Sequence, residues 1–379
     1  MKYIIVLGDG MADEPCAELG GLTPIEAADT PAMDELARRG RSGLLATVPE
    51  GFAPGSEIAH LSLLGYDVLT VFEGRGALEA ASMGIDIAPD EMALRCNLIC
   101  LPPDGVIKNH SAGHISSEEA SQLIDALNLE IGDGRATFFP GVSYRHLLKI
   151  RNADKRLVCT PPHDVPCTPA ADVMVRPECP EAAETAQYIN GLILRSQQVL
   201  VNHPVNLRRI AEGKDPANSI WPWSPGYKPA MATMAELFGI RKGVVISAVD
   251  LIMGIGVYAG LKPVWVEGAT GLYDTNYEGK LQAALKALRD GADFVFLHIE
   301  ASDEAGHEGD AGLKKLTVEN LDHRILGPLL AELDKSDEKV AVALLPDHPT
   351  PCRIKTHSSS PVPFVIWRPG DLPDDVTVY

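Results

Sequence analysis

Six residues able to ligate divalent cations stand just beyond apolar runs of this chain. Asp9 follows "YIIVLG", Asp303 and His307 follow "ADFVFLHIEA", and Asp347 and His348 follow "VAVALLP", with His357 nine residues further on. Asp303 and His307 are four apart, so they share one face if a helix starts there. Taken singly, each has an ordinary structural reading: an aspartate after a strand caps a helix, and a loop histidine is solvated. Taken together, three aspartates and three histidines exceed one tetrahedral site and suit two metals a few ångströms apart. The mixture of carboxylate and imidazole favours Mn2+ or Zn2+ over Ca2+, with Mg2+ as a third option. Two-metal sites activate a nucleophile, and "APGSEIAHLSLLG" offers Ser56 at the start of an expected helix. Backbone N–H groups at such a helix start favour an anion, while the plain alternative makes Ser56 an N-cap.

The elements that must position these residues read as an α/β alternation. A strand over Tyr3–Leu7 leads to a helix over Thr30–Gly40, with Pro31 in its first turn. Later, "KLQAALKALRDG" reads as a helix before the strand "ADFVFLHIEA". A helix over Lys314–Leu333 precedes the strand "VAVALLP", and "PFVIW" is a last strand. Alternation of this kind predicts a doubly wound α/β sheet, with functional groups at the C-terminal ends of its strands. The middle of the chain has shorter segments and many turns, such as "PPDG", "IGDGR" and "IWPWSPG". It is read as a smaller inserted α/β domain, residues 93–224, within a core formed by 1–92 and 225–379.

The chain has 379 residues and a formal charge of −19, which argues against nucleic-acid binding, since phosphate backbones require clustered Lys and Arg. A small anionic substrate remains compatible, provided a local nest of cations receives it. No run approaches the roughly 20 apolar residues that span a bilayer, and the opening "MKYIIVLGDG" is too short for a signal segment. Seven cysteines without a C-x-x-C pair fit reduced thiols, and a cytoplasmic location is expected; Cys96 and Cys100 read as core residues of a strand.

The ordered set "LGDGMAD", "LGGLTPIEAADTPAMDELARRG", "PGSEIAHLSLLGYD", "EGRGALEA", "SDEAGH" and "PDHPTP…TH" resembles the archaeal-type cofactor-independent phosphoglycerate mutase family, of the alkaline phosphatase superfamily. The resemblance implies an alkaline-phosphatase-like core and interconversion of 3- and 2-phosphoglycerate without 2,3-bisphosphoglycerate. It implies phosphorylation of Ser56, one metal on Asp9, Ser56, Asp347 and His348, and another on Asp303, His307 and His357. Binding a phosphate and a carboxylate requires cations, for which Arg75, Arg145, Arg208 (beside Arg209) and Lys228 are candidates. His114 and the pair His163 and Asp164 are candidates for hydrogen bonding or proton transfer. The chain departs from the family pattern at Met253, where a lysine is expected before "GIG", and at His114, where an arginine is common. Three other readings stay open at this level. One is a homoserine kinase of the same family, although no G-x-x-x-x-G-K-[ST] loop is present. The others are a phosphohydrolase and a structural metal protein.

Overall fold

The computed structural model describes all 379 residues, Met1–Tyr379. In chain order the strands are β1 (Lys2–Gly8), β2 (Arg41–Leu45), β3 (Glu91–Ile99), β4 (Ala136–Phe139), β5 (Arg145–Arg151), β6 (Leu157–Val158), β7 (Arg176–Pro177), β8 (Ser219–Gly226), β9 (Gly243–Ile246), β10 (Lys262–Val264), β11 (Phe294–Ile299), β12 (Val340–Leu345) and β13 (Val362–Trp367). The chain divides into two compact units. One comprises Met1–Phe72 with Ala230–Tyr379, the other Glu73–Pro229.

The first unit is built on a seven-stranded sheet in the order β10-β9-β11-β1-β12-β13-β2. The five strands from β10 to β12 pair in parallel. Their near-continuous apolar character follows from helices covering both faces of a parallel sheet, and all six residues of β11 are buried. Ile4, Val6, Val295, Leu297, Val342 and Leu344 belong to one core cluster. β13 and β2 then pair antiparallel, so the sheet is mixed. The helix expected over Lys314–Leu333 is one helical path with an interruption. Ala311–Leu321 passes through a π turn at Asp322–Leu326 into Gly327–Leu333. Pro328 cannot donate a backbone hydrogen bond to the preceding turn, which accounts for the wider loop there. The π turn presents Asp322 to the backbone N–H groups of Ala32 (3.2 Å) and Met33 (2.7 Å), and so satisfies the start of the helix Pro31–Arg39.

The second unit is a four-stranded antiparallel sheet, β4-β5-β3-β8, with the helices Ser117–Ile131 and Ala183–Leu200. Leu94, Leu98, Phe138, Leu148, Ile189 and Trp221 lie in its core with Cys96, and Cys100 is buried one residue beyond the end of β3. The unit begins twenty residues before the expected boundary at 93 because the helix Arg75–Ser82 packs Ala77 and Ala80 with Ala93 and Leu147. Gly74, with φ of 128°, admits that helix: a Cβ there would meet the Pro225 carbonyl oxygen at 2.2 Å.

His146, at 2 % exposure, makes the stability of this unit pH-dependent. Its Nδ1 accepts the Gly141 N–H at 3.0 Å, its Nε2 has no partner, and burial lowers its pKa to about 4. A folded-state pKa below the unfolded value of 6.5 means full stability above pH 6.5, with losses as the pH falls towards 4. The loss reaches about 3 kcal/mol at most. Urea midpoints of the wild type and His146→Gln should therefore diverge in slope between those pH values, with the flatter profile in the variant. Parallel profiles would remove His146 from the account.

Candidate metal centre

β1 is flanked by β11 and β12, and all three run parallel, so their C-terminal ends lie side by side. Asp9 leaves the end of β1, the helix Ala301–Glu308 starts just beyond β11, and Asp347 and His348 lie just beyond β12. Asp303 and His307 occupy one face of that helix, as their spacing requires. Gly10 lets the β1 loop pass close by: with φ of 58°, a Cβ there would stand 2.5 Å from Asp303 Oδ1.

The six ligand-type residues fall into two groups. Asp9, Asp347 and His348 are buried, and Asp303, His307 and His357 are half-buried; within each group the donor atoms lie within 4.8 Å of one another. The His348 and His357 rings, 4.1 Å apart between centroids, make the groups neighbours. Ser56 opens the helix Ser56–Leu63, whose cap position is Gly55, so the serine hydroxyl is not spent as a cap. It lies 3.3 Å from His348 Nε2. The turn before it also reaches the other group, with His357 Nδ1 3.4 Å from the Pro54 carbonyl oxygen.

Hydrogen bonding leaves one bare oxygen on each buried carboxylate. Asp9 Oδ2 is held by His298 Nε2 at 2.9 Å, and Asp347 Oδ1 accepts the N–H groups of Gly10 and His348, each at 2.9 Å. Asp9 Oδ1 and Asp347 Oδ2 are buried without a hydrogen-bond partner. Both face His348 Nε2, at 3.7 and 3.1 Å. Two bare carboxylate oxygens, an imidazole nitrogen and a hydroxyl converging on one point form a cation's donor set. In the second group His307 Nε2 and His357 Nε2 are 3.1 Å apart, with Asp303 oxygens at 3.2 and 3.5 Å. Thr350 Oγ1 donates to Asp303 and steadies it.

The protonation behaviour agrees with that fit. Burial, then the charges of Asp347 and Asp303, hold the Asp9 carboxyl well above the usual carboxylate range. Burial also presses on Asp303, but hydrogen bonds to His307 and His357 bring it well below that range. Its hydrogen bond with Asp303 raises His307 to about 9, and burial takes His60 down to about 3. Three acids this close repel one another, and a divalent cation removes that repulsion.

Comparison with known proteins identifies the scaffold. The profile of the family described as 2,3-bisphosphoglycerate-independent phosphoglycerate mutase matches residues 37–206. A mutase of that name from Methanosarcina acetivorans is 50% identical over 380 residues, covering 100% of this chain and 94% of the relative. The chain belongs to this family. A probable mutase of the same name from Geobacter sulfurreducens is 50% identical, covering 97% of this chain and 90% of the relative. Among solved structures, a Pyrococcus horikoshii protein superposes with a TM-score of 0.82 at 32% identity, covering 100% of this chain and 90% of that one. The cofactor-independent phosphoglycerate mutase of Thermoplasma acidophilum gives 0.67 at 27% identity, covering 100% and 93%.

In this family member the second unit gathers a separate set of cations and rings. Arg95 Cζ lies 4.4 Å from the centroid of Trp223, and its Nε is 3.1 Å from Glu79. Burial, opposed by Glu79 and reinforced by the charges of Arg75 and Arg145, lowers the Arg95 pKa. His163 packs edge-on to Trp223 at 5.3 Å and to His110 at 5.9 Å, with Asp164 3.5 Å from its Nε2. His110 and His114 both flank Tyr144, over which Arg145 also lies. Ala112, Gly113 and His114 all have positive φ, a strained run that places His114 at the surface. The structure thus groups Arg75, His114, Arg145, His163 and Asp164 with Arg95, His110 and Trp223. Lys228 is instead paired with Asp86 at 2.6 Å, Arg208 faces Glu119 at 3.9 Å, and Arg209 is a buried tie to Glu119 and the Ala112 carbonyl.

Proposed function

We propose that this chain interconverts 3-phosphoglycerate and 2-phosphoglycerate through a phosphoserine at Ser56. The observation that carries the proposal is the convergence of Ser56 Oγ with the bare oxygens of Asp9 and Asp347 around His348. Asp9, Asp347, His348 and Ser56 would hold one divalent ion, and Asp303, His307 and His357 a second, Mn2+ or Zn2+ by the donor types. When bound, such ions lower the pKa of a neighbouring hydroxyl and neutralise charge on phosphoryl oxygens.

The residues of the chain then do the following. Ser56 Oγ bonds to phosphorus as the glycerate 3-oxygen leaves, and that oxygen gains the proton the serine loses. Glycerate stays bound, offers its 2-hydroxyl, and the same exchange runs in reverse without 2,3-bisphosphoglycerate. Recognising the substrate's carboxylate and phosphate calls for cations, and the arginines grouped in the second unit are the candidates, which would make that unit the substrate-binding one. No helix is long and apolar enough to cross a membrane, and a cytoplasmic location is part of this proposal. The names of the relatives favour the mutase over the kinase and hydrolase readings.

The test gives purified protein and Mn2+ 3-phosphoglycerate alone, and follows products by phosphorus NMR. Appearance of 2-phosphoglycerate without ATP is expected; free phosphate as the sole product would replace the mutase with a hydrolase. Arg95→Met should raise KM about 10- to 100-fold, the effect of one charge-assisted contact, and leave kcat less affected. An unchanged KM would exclude Arg95 from substrate binding.

A further inference from the structure

Behind Asp9 lies a line of charged groups that the ligand sets leave unused. Lys280, on the helix Tyr277–Arg289, has a fully buried side chain, as has His298 on β11, and Glu300 is 2 % exposed. Lys280 Nζ donates to Glu300 Oε2 and, at 3.1 Å, to the His298 carbonyl oxygen. Glu300 Oε1 accepts from the Ala248 N–H at 2.6 Å and Ser247 Oγ at 3.0 Å, and stands 3.2 Å from His298 Nδ1. Ser247 Oγ is 3.0 Å from the same Nδ1. His298 Nε2 reaches Asp9 Oδ2 at 2.9 Å.

The order is cation, anion, imidazole, anion. Isolated charges in an apolar core are costly, so a buried series of this kind is retained only when each member answers the next. Asp9 ends the series on a carboxylate whose second oxygen, Oδ1, is bare. A carboxylate oxygen is acceptor-only, so the imidazole must donate through Nε2 to hold Asp9 Oδ2. Glu300 and Ser247 fix the ring from its other nitrogen, and Lys280 fixes Glu300. The Asp9 backbone is secured separately, its carbonyl oxygen accepting from Ser302 Oγ at 2.6 Å.

We propose that Lys280, Glu300 and His298 are positioning residues for the cation at Asp9, turning that carboxylate so that Oδ1 alone is offered to the ion. The inference rests on the reading of Asp9 as a ligand, and extends it to three residues outside either ligand set. A carboxylate free to rotate would present either oxygen or both, and the ion would be held less tightly and less squarely towards Ser56. Hydrogen-bonded partners behind metal ligands typically change affinity 10- to 100-fold when removed.

The test is calorimetric titration of metal-free protein with Mn2+ in a His357→Ala background, which leaves the Asp9 set as the tight site. Lys280→Met/Glu300→Gln removes both charges together and leaves no unpaired ion in the core. Thermal melting first establishes that this variant is folded. The expected result is a Kd at the Asp9 site weakened 10- to 100-fold, while in a His357-intact background the affinity of the Asp303 set is unchanged. An unchanged Kd at the Asp9 site in folded protein, or equal weakening of both sites, overturns the proposal and leaves the series a structural ion pair. Should the double variant fail to fold, Ser247→Ala is the second probe. It should weaken the Asp9 site alone, by a smaller factor, and no change would likewise overturn the proposal. Asp9→Asn in the same His357→Ala background separates the two levels of inference, because Mn2+ binding there with unchanged affinity refutes the ligand reading itself. The titration needs no turnover, so its outcome is independent of which phosphoryl acceptor the enzyme uses.

Discussion

Ser56→Ala is expected to leave a folded, metal-binding protein whose turnover of 3-phosphoglycerate falls on the order of 10³-fold or more. The fold should hardly notice, since Gly55 occupies the cap position and the serine side chain caps no backbone group. Stability should stay within about 0.5 kcal/mol of the wild type. The chemistry should notice fully. Ser56 supplies the hydroxyl at the buried donor set, 3.3 Å from His348 Nε2, and alanine offers no atom to bond to phosphorus. Brief exposure to phosphorus-labelled substrate, followed by denaturation, should leave label on the wild-type chain and none on the variant. Full turnover by Ser56→Ala would sink the covalent route while leaving the fold assignment intact.

Removal of the metal should be as severe. A chelator is expected to abolish turnover, and dialysis back into Mn2+ to restore it with two ions per chain by elemental analysis. His357→Ala should bind close to one ion, because it removes one of three ligands from the Asp303 group and touches none of the Asp9 group. Stability should follow occupancy. Each site filled at 1,000 times its Kd stabilises the folded chain by about 4 kcal/mol, so the metal-free protein should melt well below the loaded one. Burial and its acidic neighbours already hold Asp9 above the usual carboxylate range without an ion, so acid should also expel the metal readily. Full activity in chelator, or one ion per chain in the wild type, would refute the two-metal centre.

The part of this site legible in the sequence is the part placed by strand endings. Asp9, Asp303 and Asp347 each follow an apolar run, and parallel neighbours bring such endings together whatever their distance along the chain. His60 carried a local signal, four residues after Ser56 on one helix, where its Nδ1 meets the Ser56 carbonyl oxygen at 2.7 Å. Arg95 and His298 carried none. Each sits inside an apolar strand, "EMALRCNLI" and "FVFLHI", where side-chain alternation alone does not say what faces it. Lys280 reads as a solvated helix residue until the helix is docked and the side chain turns inward to Glu300. The antiparallel β2 is similarly silent, since "RSGLL" has no buried residue and no alternation. Lys228 and Arg208 show the converse: a cation in a promising segment faces a nearby acid, Asp86 or Glu119, once the chain is folded.

The strand order has a consequence for the time course of synthesis. β1 lies between β11 and β12, and His298 is separated from Asp9 by 289 residues of chain. At 5–20 residues per second, the ribosome needs roughly 15–60 s to deliver β11 after β1 has emerged. Through that interval both edges of an apolar strand await their partners, whereas Glu73–Pro229 is contiguous and can close its core meanwhile. The nascent first strand is therefore the segment that holdase chaperones should occupy, and the metal ligands can assemble only after the last third of the chain leaves the exit tunnel.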